Sequence, residues 1–127
     1  MALTDQSVVT ILPANDIDRA KRFYAEQLGF VPLAEDSARV RYALADGTGF
    51  YLSTTANTNR GGHTQMAFAV ANIESEVAQL RAKGVVFTEF DSGPFKTTDG
   101  IAEYVGERVA WFVDSEGNWI GLFQHQD

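Results

Sequence analysis

Two histidines, His63 and His125, and no cysteine are all the imidazole and thiol chemistry this chain has. The lack of cysteine removes disulfides, thiolate metal sites and cysteine nucleophiles together. No Ser-His-Asp or Cys-His set can be assembled, and no glycine-rich phosphate loop follows a strand-like run. Asp114 and Glu116 resemble a pair of catalytic carboxylates, but they lie in Asp114-Ser115-Glu116-Gly117-Asn118, between the β-rich runs Val109–Val113 and Trp119–Phe123. Asp, Gly and Asn accept the tight and left-handed backbone that reverses a strand, so the stretch reads as a hairpin and its carboxylates as turn formers. No catalytic residue is assigned. What stands out instead is aromatic, with Trp111 on one arm of this hairpin and Trp119 and Phe123 on the other.

Length and composition narrow the class. The 127 residues, 45% of them hydrophobic, are one domain's worth of chain and enough for a real core. No apolar run approaches the roughly 18–20 residues that span a bilayer. The N-terminal Met-Ala-Leu-Thr-Asp-Gln-Ser has no basic region followed by an apolar stretch, so no signal peptide is read, and a cytoplasmic protein without membrane contact is expected. The net charge of −7, with ten scattered basic residues, argues against nucleic acid, which is bound by clustered Lys and Arg.

The elements form a repeat. Ser7–Pro13 reads as a strand. Asp16 caps a helix whose Ile17, Ala20, Phe23, Tyr24 and Leu28 make one stripe, and Gly29 ends it. Phe30–Leu33, Arg39–Leu44 and Gly49–Ser53 follow as strands. A polar linker then leads to a strand at Thr64–Val70, a helix capped by Asn72 and ended by Gly84, a strand at Val85–Phe90 and the hairpin. Both halves read β-α-β-β-β, with boundaries 7–55, linker 56–62 and 63–125. Asp16 and Asn72 are 56 apart and Gly29 and Gly84 are 55 apart, whereas Gly47 and Gly117 are 70 apart. The second half therefore carries an insertion, placed at Asp91–Arg108, long enough to be a functional loop.

These signals resemble the vicinal oxygen chelate superfamily of glyoxalases, extradiol dioxygenases and bleomycin-resistance proteins. The residues that carry the resemblance are Asn15-Asp16-Ile17-Asp18-Arg19-Ala20-Lys21-Arg22-Phe23-Tyr24, Leu28-Gly29-Phe30, Met66-Ala67-Phe68-Ala69-Val70, Lys83-Gly84-Val85 and Trp111 to Asn118. Ser115 stands where the family often has proline. The resemblance implies an α+β fold of two βαβββ modules, whose curled mixed sheets surround a concave cleft. It also implies a homodimer, the cleft lying within one chain or between two.

Carried over by the repeat, the metal-ligand positions of the resemblance fall on Val9, Tyr51, Gln65 and Gly121. Valine and glycine offer no donor atom, and catalytic zinc needs three protein ligands, so neither metal nor cofactor is expected. Replacing Gln65 by His63, two residues earlier, keeps strand parity but leaves the other positions empty. If Gln65 faces the cleft, alternation places Ala67 and Ala69 beside it, Trp119, Gly121 and Phe123 on the last strand, and Tyr51 on the fourth. Trp111, Arg41 and the insertion residues Phe95, Lys96 and Tyr104 are further candidates at its mouth. The expected ligand-binding set is thus Tyr51, Gln65, Trp119, Gly121, Phe123, Trp111 and Arg41, suited to a flat or hydrophobic small molecule, cationic ones included. Two other readings stay open: a metal-dependent lyase or dioxygenase with unusual ligands, and an interaction subunit with a closed cleft.

Overall fold

The structure, a computed structural model, describes residues 2–125. Two helices form where local chemistry dictates. Helix α1 (Ile17–Glu26) starts at Asp16, whose side chain accepts from the Arg19 N–H at 3.0 Å, and it buries Ala20 and Tyr24. Helix α2 (Ile73–Ala82) starts at Asn72, which accepts from the Ser75 N–H at 3.0 Å, and it buries Ile73 and Val77. In each case the capping oxygen satisfies a backbone donor that has no partner within the helix. Past the ends, Gly29 (φ 80°) and Gly84 (φ 97°) take the left-handed backbone that glycine adopts without a steric penalty.

The strands are β1 (Thr10–Ala14), β2 (Ala34–Glu35), β3 (Arg39–Ala43), β4 (Gly49–Thr54), β5 (Thr64–Ala69), β6 (Thr97–Thr98), β7 (Ile101–Tyr104), β8 (Glu107–Val113) and β9 (Trp119–His125). They make two mixed sheets, ordered β1-β4-β3-β2 and β5-β9-β8-β7-β6. In each, the first strand runs parallel to the last and the others are antiparallel. The fold is α+β, and neither sheet closes into a barrel.

Two expected strands are corrected. Phe30–Leu33 is not a strand; the second strand is only Ala34–Glu35, because Phe30 turns its ring into the core, 5.4 Å from Phe50 and 5.9 Å from Phe68. Val85–Phe90 makes one isolated bridge, Phe87 to Phe112, and a bond from the Thr88 N–H to the Trp111 carbonyl at 2.8 Å. The reason is competition for one edge of β8. The insertion folds back as β6 and β7, and β7 pairs with Glu107–Val109, leaving only the Trp111–Phe112 end for the 85–90 segment. The insertion is thus a hairpin that widens the second sheet, preceded by the short loop 91–96.

The helix-facing sides of both sheets share one core. Leu12, Val40, Tyr42, Phe50 and Leu52 from the first sheet join Ala110, Phe112, Ile120 and Leu122 from the second. Their other sides are open, with Ile11 about half exposed on the first and Val9, just before β1, similarly exposed.

The turn between β8 and β9 joins the two halves. Asp114 accepts from the N–H groups of Glu116 (2.8 Å) and Asn118 (2.9 Å), and from the Tyr24 hydroxyl (2.7 Å). Burial, with the nearby Asp114 carboxylate, pushes the Tyr24 hydroxyl well above its ordinary value. The fully buried Asn118 donates to the Pro13 carbonyl on β1 at 2.9 Å. Glu116 reaches the start of α1, accepting from the N–H groups of Asn15 and Asp16, both at 2.9 Å, and from Arg19 at 2.8 and 3.0 Å. Burial alone would raise this carboxyl; the bonds from Arg19, the Asp16 N–H and the Ser115 hydroxyl outweigh it and hold the group at about 2.

A carboxyl depressed in the folded state stabilises the fold above its unfolded value near 4.5 and loses that contribution as pH falls towards 2. Glu116→Gln is therefore expected to cost roughly 2 to 3 kcal/mol at neutral pH. It should also flatten the decline in stability between those two pH values, as followed by urea unfolding across a pH series. A variant as acid-sensitive as the parent would show that other carboxylates govern the decline.

Candidate ligand-binding pocket on the second sheet

The open face of the second sheet is set by strand parity. Trp119, Gly121 and Phe123 of β9 lie opposite Val113, Trp111 and Val109 of β8, with Ala67 and Ala69 of β5 level with Gly121 and Phe123. Gly121 lies at the floor of this face, where a Cβ would make ordinary contacts, 3.4 Å from the Ala67 and Thr64 side chains and 3.7 Å from Trp111.

Aromatic rings stand around this floor. Phe90 is 5.4 Å from Trp111 at 89°, and lies nearly parallel to Trp119 at 6.2 Å and 24°. Phe95 is 5.4 Å from Trp111 at 85°, with Tyr104 behind it at 4.5 Å. They border a pocket of about 470 Å³, completed by Gly62, His63, Thr64, Ser92 and Pro94. None of the described residues lining it is Lys, Arg, Asp or Glu. The His63 Nδ1 lies 3.3 Å from the Gly61 carbonyl. Such a lining offers stacking and edge-to-face contacts and carries no acid–base pair.

Of the candidate residues, the structure brings Trp111 and Trp119 together in the pocket, with Gly121 beside its lining residues Thr64 and Trp111. Phe123 lies farther along β9 and lines a separate crevice of about 340 Å³ with Ala67 and Ala69. Gln65 sits at the irregularity between Thr64 and Met66 and is engaged with the turn. Its Nε2 donates to Asn118 at 3.0 Å, and its Oε1 accepts from the Trp119 N–H at 3.2 Å. Tyr51 and Arg41 are neighbours on the first sheet, outside this pocket, where the Arg39 and Arg41 guanidiniums lie 4.3 and 5.9 Å from the Tyr51 ring. Of the insertion residues, Phe95 is a wall, Tyr104 backs it, and Lys96 lines a separate charged groove beside α2. Phe90 was not foreseen; it ends a run that reads as an ordinary strand.

Val9 and Gly121 carry no donor atoms, Gln65 is already bonded, and Tyr51 is level with Ile11, another apolar side chain. Among the described residues, no group of three or more His, Cys, Asp or Glu could hold a metal ion. The residues at these positions do not fit a divalent-cation centre.

The model of the Glyoxalase/Bleomycin resistance protein/Dioxygenase superfamily matches residues 6–122, and the chain belongs to that family. No curated protein matches the sequence. Solved structures share the fold. The glyoxalase/bleomycin resistance protein/dioxygenase from Alicyclobacillus acidocaldarius superposes with a TM-score of 0.74 at 14% identity, covering 100% of this chain and 96% of that one. TnmS3, described as an antibiotic binding protein from Streptomyces sp. CB03234, has a TM-score of 0.67 at 26% identity, covering 95% and 96%. A putative glyoxalase family protein from Bacillus anthracis has a TM-score of 0.71 at 16% identity, covering 95% and 96%.

Gly121 has an ordinary strand conformation, so a side chain there is limited only by its neighbours Ala67, Thr64 and Trp111. Because Thr64 and Trp111 line the pocket, Gly121→Trp is expected to crowd it while far-ultraviolet circular dichroism stays that of the parent. A large loss of secondary structure would place Gly121 in the packing of the sheet instead.

Proposed function

We propose that this chain is a small-molecule-binding protein that holds an aromatic or hydrophobic ligand against Trp111 and Trp119, without a metal, and that binding or sequestration is itself its role. The observation that carries this reading is the pocket of about 470 Å³ with aromatic walls and no charged lining among the described residues. Stacking on four rings favours a planar ligand. The net charge of −7 raises the local concentration of cations, so a cationic aromatic compound is preferred over an anionic one. The likeness to TnmS3, described as an antibiotic binding protein, supports an antibiotic as the ligand class.

The half-exposed Ile11 beside Tyr51, on the open face of the first sheet, and the half-exposed Val9 just before that strand support a homodimer in which that face is covered. No described helix is long and apolar enough to cross a membrane, and we place the protein in the cytoplasm, apart from membranes and nucleic acid.

Intrinsic tryptophan fluorescence tests the site, since both indoles border it. Planar aromatic cations should quench it saturably in the parent, and Gly121→Trp should weaken binding, read by calorimetry, more than about tenfold. Equal affinity in the two proteins would move the ligand elsewhere. Thermal-shift titration with Zn, Mn, Ni, Fe(II) and Mg should leave the melting temperature unchanged, because only a ligand of the native state raises it. A saturable rise with any of these ions would restore the metal-dependent reading.

A further inference from the structure

The two phenyl walls of the pocket flank one small knot of hydrogen bonds. The Thr97 hydroxyl donates to the Glu89 carboxylate at 2.6 Å and accepts from the Phe90 N–H at 2.8 Å. The Thr97 N–H donates to the Phe90 carbonyl at 2.8 Å. The same Glu89 oxygen accepts from the Gly100 N–H at 2.8 Å, at the turn of the β6–β7 hairpin, where Asp99 (φ 51°) and Gly100 (φ 80°) have the paired left-handed backbone of a two-residue turn. These bonds close the neck of the loop Asp91–Lys96, whose residues are otherwise exposed. Phe90 is at the neck and Phe95 is inside the loop, and both rings stand almost perpendicular to Trp111.

The Trp111 indole thus meets two ring walls at near right angles, Phe90, which lies nearly parallel to Trp119, and Phe95. A flat ring entering alongside either wall can stack on that wall and meet Trp111 edge to face. A saturated ring of similar outline buries comparable apolar area but has no quadrupole to align. The spacing of the walls depends on the neck, and the Phe95 side of the loop meets the sheet through ring contacts with Trp111 and Tyr104. Resting on the binding function proposed above, we propose that the loop Asp91–Lys96 is the specificity element of this pocket, with Thr97 as its positioning residue, and that it selects planar aromatic groups over saturated ones.

The ionised state of Glu89 that the knot requires agrees with its surroundings: the Thr97 hydroxyl and then the Gly100 N–H hold its carboxyl below the ordinary value. The knot is local to the insertion and the two residues before it, Glu89 and Phe90, so it can be loosened without touching the polar junction that joins the two halves.

The test uses the full chain and two probes of equal charge, naphthylmethyl-trimethylammonium and its saturated decahydro counterpart, with affinities from calorimetry. The parent should prefer the aromatic probe by roughly five- to tenfold. Thr97→Val, which keeps the size but removes the hydroxyl, should bring that ratio to within about twofold, and Thr97→Ser should restore it. Phe95→Leu, at an exposed position, should lower the ratio likewise with an unchanged melting temperature, so the proposal stays testable if Thr97→Val folds poorly. A parental ratio in both Thr97→Val and Phe95→Leu, or equal weakening of both probes, overturns the specificity role while binding that Gly121→Trp blocks leaves the function standing. A ratio that falls in Phe95→Leu but not in a folded Thr97→Val overturns the positioning role of Thr97. Failure of the parent to bind either probe overturns both this inference and the proposed function.

Discussion

The seating of one hairpin turn against the start of one helix holds the two halves of this protein in register. Glu116 is buried, so its charge must be compensated within the protein, and Arg19 with the Asn15 and Asp16 N–H groups supplies that compensation from the other half of the chain. The positive end of the α1 dipole lies in the same direction. Asp114 and Asn118 complete the junction through Tyr24 and Pro13. Removing one partner would leave a buried charge or a buried donor alone, which costs more than the pair contributes. The polar junction is therefore specific as well as cohesive: sliding the halves past each other would strand every one of these groups.

The same junction shapes the pocket. Asn118 holds the Gln65 amide, and Gln65 in turn accepts from the Trp119 N–H, so the backbone that carries Trp119 is tied to the turn that reads the first half. What looks from the sequence like an amide for orienting a ligand is part of the frame. Phe90 and Phe95 come from elsewhere, from the insertion and its neck, so the Trp119 side and the phenyl side of one pocket are held by separate sets of bonds.

The helices and most of the sheet order could be read from the sequence because their determinants are local. Asp16 and Asn72 cap within three residues of their targets, and apolar spacing marks the buried stripe. Phe30 and the 85–90 segment could not be read this way. Their fates depend on a distant ring, Phe68, and on β7 taking part of the edge of β8. Alternation along β9 is enough to put Trp119 and Gly121 on one face, and the hairpin register adds Trp111. Phe90 enters the pocket through bonds to Thr97, across a loop whose conformation no periodicity encodes. The irregularity at Gln65 likewise breaks the parity on which its expected direction rests.

The two copies of the β-hairpin turn have diverged in what they carry. Asp46 binds only its near neighbour Thr48 and is exposed, and a Cβ on Gly47 would meet nothing within 4 Å. The later copy is enclosed by α1, β1 and the Arg60 guanidinium, which donates to the Glu116 carbonyl at 2.9 Å. A duplicated fold therefore offers two equivalent places to cut and reconnect the chain, but only one is usable. New termini opened between Asp46 and Gly47 would lie at a solvated tip and leave every inter-half contact in place, whereas a circular permutation opened between Glu116 and Gly117 would free the residues that bind the halves together.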